Sequence, residues 1–375
     1  MDELDFFPSE SLHFPRLRPT VVVQGHEDRL RFLSFSELRE SEFEVKPFVH
    51  DLVKLLDGSH SLMDLLDHLR TTYSHDLSLD DLTDVIELLA WHGLLDRSVG
   101  GKAVGEMFTR QARFFGEFVS SYPSLPADVC ELQNSLGESK VLVIGAGGTG
   151  SWVIRALVAS GVGAIDVVDS DVVELSNLSR QALYLSDDVG RLKAEVIGQR
   201  CGQLSELTQI HPMRKWIRES SDMEPLLDGV DLVICCADEP SVNVVSDIVA
   251  DSCFPNGIAH MVGGSYGGNL GVPGITVIPG RTACWSCLRS EIKHDHETSD
   301  FSDVADRTGP VGSISMITGI VANLIAWDAL RVLLGVPPAL SDVVRELNIF
   351  TLEWRTRVIK RRKDCMCSGW HGCHG

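Results

Sequence analysis

The chain has 375 residues, 44% of them apolar, which is enough for two packed domains with real cores. It carries 53 acidic residues against 33 basic ones, a formal charge of -20. That charge repels phosphate backbones and anionic headgroups, and it excludes nucleic acid and membrane surfaces as expected main partners. The apolar runs are short, and "MDELDFFPSESLHF" lacks the basic and then apolar pattern of a secretory signal, so a cytoplasmic protein is expected. Ten cysteines are too few for a disulfide scaffold in a chain this long and read as reduced thiols.

In chain order, "TVVVQGHEDRLRFLSF" predicts a hairpin around a Gly-His-Glu-Asp turn, and "FEVKPF" a third strand. Helices are predicted at "HDLVKLLDG", stopped by glycine, and at "SLMDLLDHLRTTY" and "SLDDLTDVIELLAWHGLL", each opened by a serine cap. Together they make a small winged-helix unit over residues 1–100, bounded by the glycine-rich "DRSVGGKAVGE". Its recognition helix would be "SLDDLTDVIELLAWHGLL", with four acidic residues and no lysine or arginine, which speaks against DNA. The order of these elements resembles the PqqD-like family of precursor-peptide recognition domains. That resemblance implies a leader peptide bound as an added strand beside the sheet.

From residue 138 onward the pattern is strand, glycine turn, helix, strand: "KVLVIGAG", "GTGSWVIRALVASGV", "GAIDVVDSD". Gly145, Gly147 and Gly150 have the G-x-G-x-x-G spacing that lets backbone amides approach phosphate at a helix N-terminus. Asp169, nineteen residues after Gly150, can accept hydrogen bonds from a ribose. To this point NAD and ATP fit equally. The polar run that follows favours ATP: Asn177, Arg180, Gln181 and Lys193 could supply donors to a triphosphate, and Asp238, after "VDLVICCAD", could serve Mg²⁺.

The segments "GAGGTGS", "DSDVVELSNLSRQ", "GRLKAEV" and "CCADEPS", in that order, resemble the ThiF, MoeB and E1 adenylating superfamily over nearly all of residues 105–375. The resemblance implies an α/β chain: a Rossmann-like E1 adenylation domain over 101–375, behind the N-terminal winged-helix (PqqD-like) α+β domain. It also implies ATP and Mg²⁺ as cofactors. The nucleotide would lie on Gly145, Gly147, Gly148, Gly150, Asp169, Asp171, Asn177 and Gln181, with Arg180, Lys193 and Asp238 catalytic. "MFTRQARFF" looks like the family segment whose second arginine reaches the ATP of the other protomer; Arg110 matches it, so a homodimer is implied. Met107 stands where the family has the first arginine, and Asn243 where many members have another.

"TACWSCLRS" supplies Cys284 and Cys287, and "KDCMCSGWHGCHG" supplies Cys365 and Cys367 as C-x-C. In the family two such pairs hold a structural zinc, and a closed Cys₄ site has no open position for substrate. The shortened second pair leaves Cys373, His371 or His374 as possible substitutes, with a redox pair or unliganded thiols as the other options. "LRSEIKHDHETSDFSDVADR" corresponds to the family's crossover loop. It contains no cysteine for a thioester, though His294 and His296 could act as bases or bind substrate. Cys235 and Cys236 lie in an apolar strand and read as core.

Joined, the halves predict ATP-dependent modification of a ribosomal precursor peptide, closest to the enzymes of pantocin A and microcin C biosynthesis, with dehydration or cyclisation at glutamates as the nearer model. Two alternatives are adenylation of a ubiquitin-like sulfur carrier and a non-catalytic protein that presents peptides to a partner enzyme.

Overall fold

The computed structural model describes residues 8–73, 76–100, 105–297 and 312–369, which divide into two units, Met1–Asn134 and Ser135–Gly375. In the first, the expected hairpin forms from β1 (Val21–His26) and β2 (Arg29–Ser34), antiparallel and in register from Val21 opposite Ser34 to His26 opposite Arg29. The turn is two residues, Glu27 and Asp28, with Glu27 at φ 50°; Gly25 and His26 belong to the strand. The third strand, β3, is Arg39–Glu44 rather than Phe43–Phe48. Pro47 is the reason: its fixed φ opens a helix, Pro47–Leu55, and it cannot donate to a sheet ladder.

Two more helices, Leu62–Arg70 and Leu79–Trp91, open on capping boxes. Ser61 pairs with Asp64 and Ser78 with Asp81, each serine accepting from the third helical amide while the aspartate accepts from the cap's own amide. Their apolar faces close over one side of the sheet in a core built from Phe32, Leu52, Leu65, Leu82 and Ile86. Buried Arg18 ties this unit together through ion pairs to Glu37 at 2.6 Å and Glu117 at 3.0 Å.

The second unit carries a six-stranded sheet built from β4 (Lys140–Ile144), β5 (Ala164–Val168), β6 (Gln209–Met213), β7 (Leu232–Cys235), β8 (Ala259–Val262) and β11 (Ile275–Val277). The order is β11-β8-β7-β4-β5-β6, parallel except for antiparallel β11. A second, antiparallel sheet has the order β13-β12-β10-β9, formed by β9 (Ser265–Gly267), β10 (Leu270–Val272), β12 (Val343–Asn348) and β13 (Glu353–Val358).

Strands β4 and β7 are buried at nearly every position because helices cover both faces, and their sequences are correspondingly continuous apolar runs. Helix Ser315–Leu333 is long and apolar enough to cross a bilayer. Here it is a core helix: Ile317, Val321, Ile325 and Ala329 are buried, and its Asp328 accepts hydrogen bonds from Thr276 Oγ1 and the amides of Ala339 and Leu340.

Candidate functional site

Chain order reverses direction in the parallel sheet between β4 and β7, since β5 and β6 lie to one side of β4 and β7 and β8 to the other. Ligands of open α/β sheets bind outside the carboxyl ends of the strands at such a point. A cleft of about 550 Å³ opens there. Gly145 ends β4 at φ 93°, and a Cβ on it would stand 2.7 Å from the amide nitrogen of Ala237. The left-handed backbone and the close passage of Cys236 and Ala237, just past β7, both require glycine. Gly147 caps helix Gly148–Ala159, whose first turn faces the cleft. Gly150 is not in the cleft lining; a Cβ there would meet Gly145 O at 1.8 Å, so it sets how closely the helix packs on the turn.

Asp169, at the end of β5, accepts from Ala146 N on Oδ2 at 2.7 Å and from Asp171 N on Oδ1 at 2.8 Å. Each oxygen keeps a further lone pair for a ligand hydroxyl. Burial raises its pKa from the ordinary carboxylate value, and the two amides work against that. Lys193, its side chain 8% exposed, donates to Asp171 Oδ2 at 2.9 Å. Buried Asn177 accepts from Glu174 N, and Arg180 donates to Ser176 O while its own carbonyl accepts from Trp152 Nε1 and Thr318 Oγ1. Gln181 is buried with its Oε1 unpartnered in the cleft wall. Asp238 follows β7 and is exposed on the cleft's other side.

Gly145, Gly147, Gly148, Asp169, Asp171, Asn177, Arg180, Gln181, Lys193 and Asp238 therefore share one cleft. An orphaned amide oxygen, open helix-terminal amides and a carboxylate with free lone pairs fit a nucleotide, phosphate on the glycine turn and ribose on Asp169. Arg110 belongs to the first unit, exposed in the first turn of helix Thr109–Ser121. Asn243 is exposed at the start of helix Val242–Cys253.

Among the lining residues that sequence reasoning missed are Lys215, Trp216 and Ile217 beyond β6, and Tyr266 in β9. The pair Gly263-Gly264, which breaks the chain after β8, was the available signal for Tyr266. Cys235 is core as expected, but Cys236 lines the cleft. Burial raises both thiols, Cys235 to about 12, so neither is a ready thiolate at neutral pH. Helix Trp285–Glu297 takes up the first part of the expected crossover loop, His294 and His296 included; residues 298–311 lie outside the described residues.

Cys284, Cys287, Cys365 and Cys367 are all buried, and their sulfurs lie within 4.8 Å of one another. The pair distances are 3.4 Å for Cys284 to Cys365, 3.5 Å for Cys287 to Cys367 and 3.8 Å for Cys284 to Cys287. Thiolates on a tetrahedral zinc at about 2.3 Å would stand about 3.8 Å apart. The separations are far beyond a disulfide bond, and the donor set fits a tetrahedral metal ion. Cys373, His371 and His374 lie outside the described residues.

This fold and cleft define an α/β protein with a cleft shaped for a nucleotide and a cysteine cluster able to hold a metal. The ThiF family model matches residues 120–369, more than half of the chain, and the chain belongs to that family. It is 30% identical over 245 residues to the sulfur carrier protein ThiS adenylyltransferase of Escherichia coli, a match covering 63% of this chain and 89% of that one. It is 26% identical over 237 residues to a probable molybdopterin-synthase adenylyltransferase of Porphyra purpurea, of whose length it spans 58%. Among solved structures, E. coli MccB with AMPCPP and MccA superimposes with a TM-score of 0.72 at 20% identity, covering 94% of this chain and 98% of MccB. PaaA superimposes at 0.66 and 20% identity, covering 91% and 98%. These likenesses show the fold, an E1-like α/β unit with an N-terminal unit of helices and antiparallel sheet.

Proposed function

We propose that this protein is an ATP-dependent enzyme that activates a carboxylate or amide of a ribosomally made precursor peptide for dehydration or cyclisation, glutamate side chains being the nearest model. One observation carries the reading. The adenylyltransferase relatives match 54–73% of this chain, whereas MccB, solved in complex with MccA, matches 94% of it, small N-terminal unit included.

That unit, residues 1–100 in this reading, is the PqqD-like leader-binding domain. Its β3 is an edge strand that can take an added strand. An apolar groove of about 230 Å³ lies beside β3, lined by Phe43, Phe48, Val85 and Leu88 with Asp81 and Asp84 at its rim. A leader strand could place an apolar side chain in the groove and a basic one against Asp84, Asp81 being already paired with Lys46 at 3.0 Å.

In the adenylation domain, residues 101–375, the nucleotide binds Asp169 and Asp171 by its ribose, and the glycine turn, Asn177 and Gln181 by its phosphates. A peptide carboxylate oxygen bonds to the α-phosphorus as the bond to the β-phosphate oxygen breaks, releasing pyrophosphate. A peptide nitrogen then attacks the acyl carbon, and AMP leaves. Arg180 and Lys193 stabilise charge gathering on the phosphate oxygens, and Asp238 holds the metal or its water. Bound Mg²⁺ supplies neutralisation of the triphosphate.

Charge supports the need for that metal and for a second protomer. The cleft's lining offers Arg180, Lys193 and Lys215 against Asp169, Asp171, Glu174, Asp238 and Glu239, so a triphosphate needs further positive charge. Arg110 of the other protomer in a homodimer would add to it. The four cysteines hold a structural zinc that fastens the C-terminal segment to the helix bearing Cys287. The protein is placed in the cytoplasm, with a peptide rather than nucleic acid or membrane as partner.

The second reading, adenylation of a sulfur-carrier C-terminus, is favoured by the sulfur-carrier adenylyltransferases among the relatives. The lack of a cysteine in "LRSEIKHDHETSDFSDVADR" and the raised thiol of Cys236 weigh against thioester chemistry. Pyrophosphate exchange into ATP separates the two. Exchange stimulated by a precursor peptide encoded beside the gene supports the first, and exchange stimulated only by a Gly-Gly-ending carrier protein supports the second. Peptide binding with no exchange by either moves the protein to the presenting class.

A further inference from the structure

Tyr266 reaches the glycine turn from the other sheet. Its hydroxyl lies 1.9 Å from where a Cβ on Gly148 would stand, and its Cζ 2.7 Å from the same point, so the phenol occupies the space that glycine leaves over the first turn of helix Gly148–Ala159. Both Tyr266 and Arg180 line the same cleft, and Arg180 lies near enough to the phenol to favour its ionised form, against the effect of burial. Arginine can only donate, so it makes no claim on the phenolic hydrogen, which can donate elsewhere. Burial raises the phenol's pKa and keeps it protonated. The Arg180 backbone is itself pinned, its carbonyl accepting from Trp152 and Thr318, so the arginine and tyrosine form a supported pair at the helix N-terminus.

The ribose end of the cleft is fixed by Asp169, which accepts from Ala146 N, two residues before Gly148. The first phosphate after the ribose therefore falls on the turn that Tyr266 covers.

We infer that Tyr266 is a nucleotide ligand: its hydroxyl donates to a non-bridging oxygen of the α-phosphate, beside Arg180, on the group where adenylyl transfer occurs. This rests on the cleft being the ATP site. It also accounts for a half-buried tyrosine on strand β9 whose phenol fills the space that Gly148 leaves open.

The test is calorimetric titration of the full-length protein and its Tyr266→Phe variant with adenosine, AMP, ADP and the non-hydrolysable analogue AMPCPP. Phenylalanine keeps the ring and removes only the donor. The expected result is affinity about 10-fold weaker for AMP, ADP and AMPCPP alike, the loss of one hydrogen bond to a charged group, with adenosine affinity unchanged. Equal weakening of adenosine would make Tyr266 a merely structural prop, and unchanged affinity for all four would remove it from the site. Weakening of ADP and AMPCPP with AMP unchanged would place the hydroxyl on another phosphate. Each of these overturns the inference. If the unaltered protein binds none of the four, the reading of the cleft itself falls and takes the inference with it.

Discussion

Lys193 shows how far a single side chain can be separated into function and stability. Its side chain is 8% exposed, yet its carboxylate partner Asp171 is 46% exposed, so breaking the pair leaves a solvated charge behind. Lys193→Met should therefore change the melting temperature little, as for a surface pair, while lowering peptide-dependent pyrophosphate release by about 100-fold or more. Calorimetry and a pyrophosphate assay on the same preparation check both halves. His260 makes the opposite case, a residue of stability alone. It is fully buried in β8, its Nδ1 bonded to Ile258 O and its Nε2 unpartnered, and burial lowers its pKa to about 4. Between about pH 6.5 and pH 4 the unfolded chain binds a proton here that the folded one does not. The contribution is whole above the unfolded pKa and falls away as the pH drops through that window. Denaturant titrations should show stability declining toward pH 4, and His260→Leu should flatten the decline. The motif residues were legible because phosphate and ribose demand amides, cations and a carboxylate at fixed intervals. Tyr266 was not, because only the folding of β9 against the turn brings it to Gly148.

At the scale of elements, caps were easier to read than strands. Ser61 and Ser78 announce their helices by chemistry local to four residues, and both boxes form in full. Ser61→Ala and Ser78→Ala should each cost about 1 kcal/mol in urea unfolding, while Thr71→Ala at the far end of its helix should cost less. The third strand was misplaced for an equally physical reason. In Arg39–Glu44 only Ser41 and Phe43 are half-buried, so an edge strand with one wet face shows almost no apolar alternation. The neighbouring "FEVKPF" looks more hydrophobic, but its Phe48, with Val49 just after it, belongs to the core face of a helix. The cysteine pairs lie far apart in sequence, yet their ligand chemistry identified them. Even the short C-x-C pair reaches the cluster, because Cys367 lies in the last helical turn, Met366–Gly369.

For the whole molecule, two expectations follow from joining units and copies. Cys284→Ser should release bound zinc to a chromogenic chelator and lower the melting temperature, since a closed thiolate site contributes folding energy directly. If Arg110 completes the active site of the other protomer, Arg110→Ala and Lys193→Met should each be inactive alone. Mixed and reassorted, they should recover about a quarter of the original activity, because half of the dimers then hold one intact site. No recovery would place both residues on the same protomer's side of the site or remove Arg110 from it.

The central claim is peptide modification driven by ATP, and it is tested most directly by incubating the full-length protein with Mg-ATP and a synthetic peptide from a short reading frame beside its gene. Nucleotide products and intact peptide mass are recorded together. AMP formed in step with a peptide change such as loss of water is the predicted result. Tight peptide binding with ATP untouched and the peptide mass unchanged would contradict it.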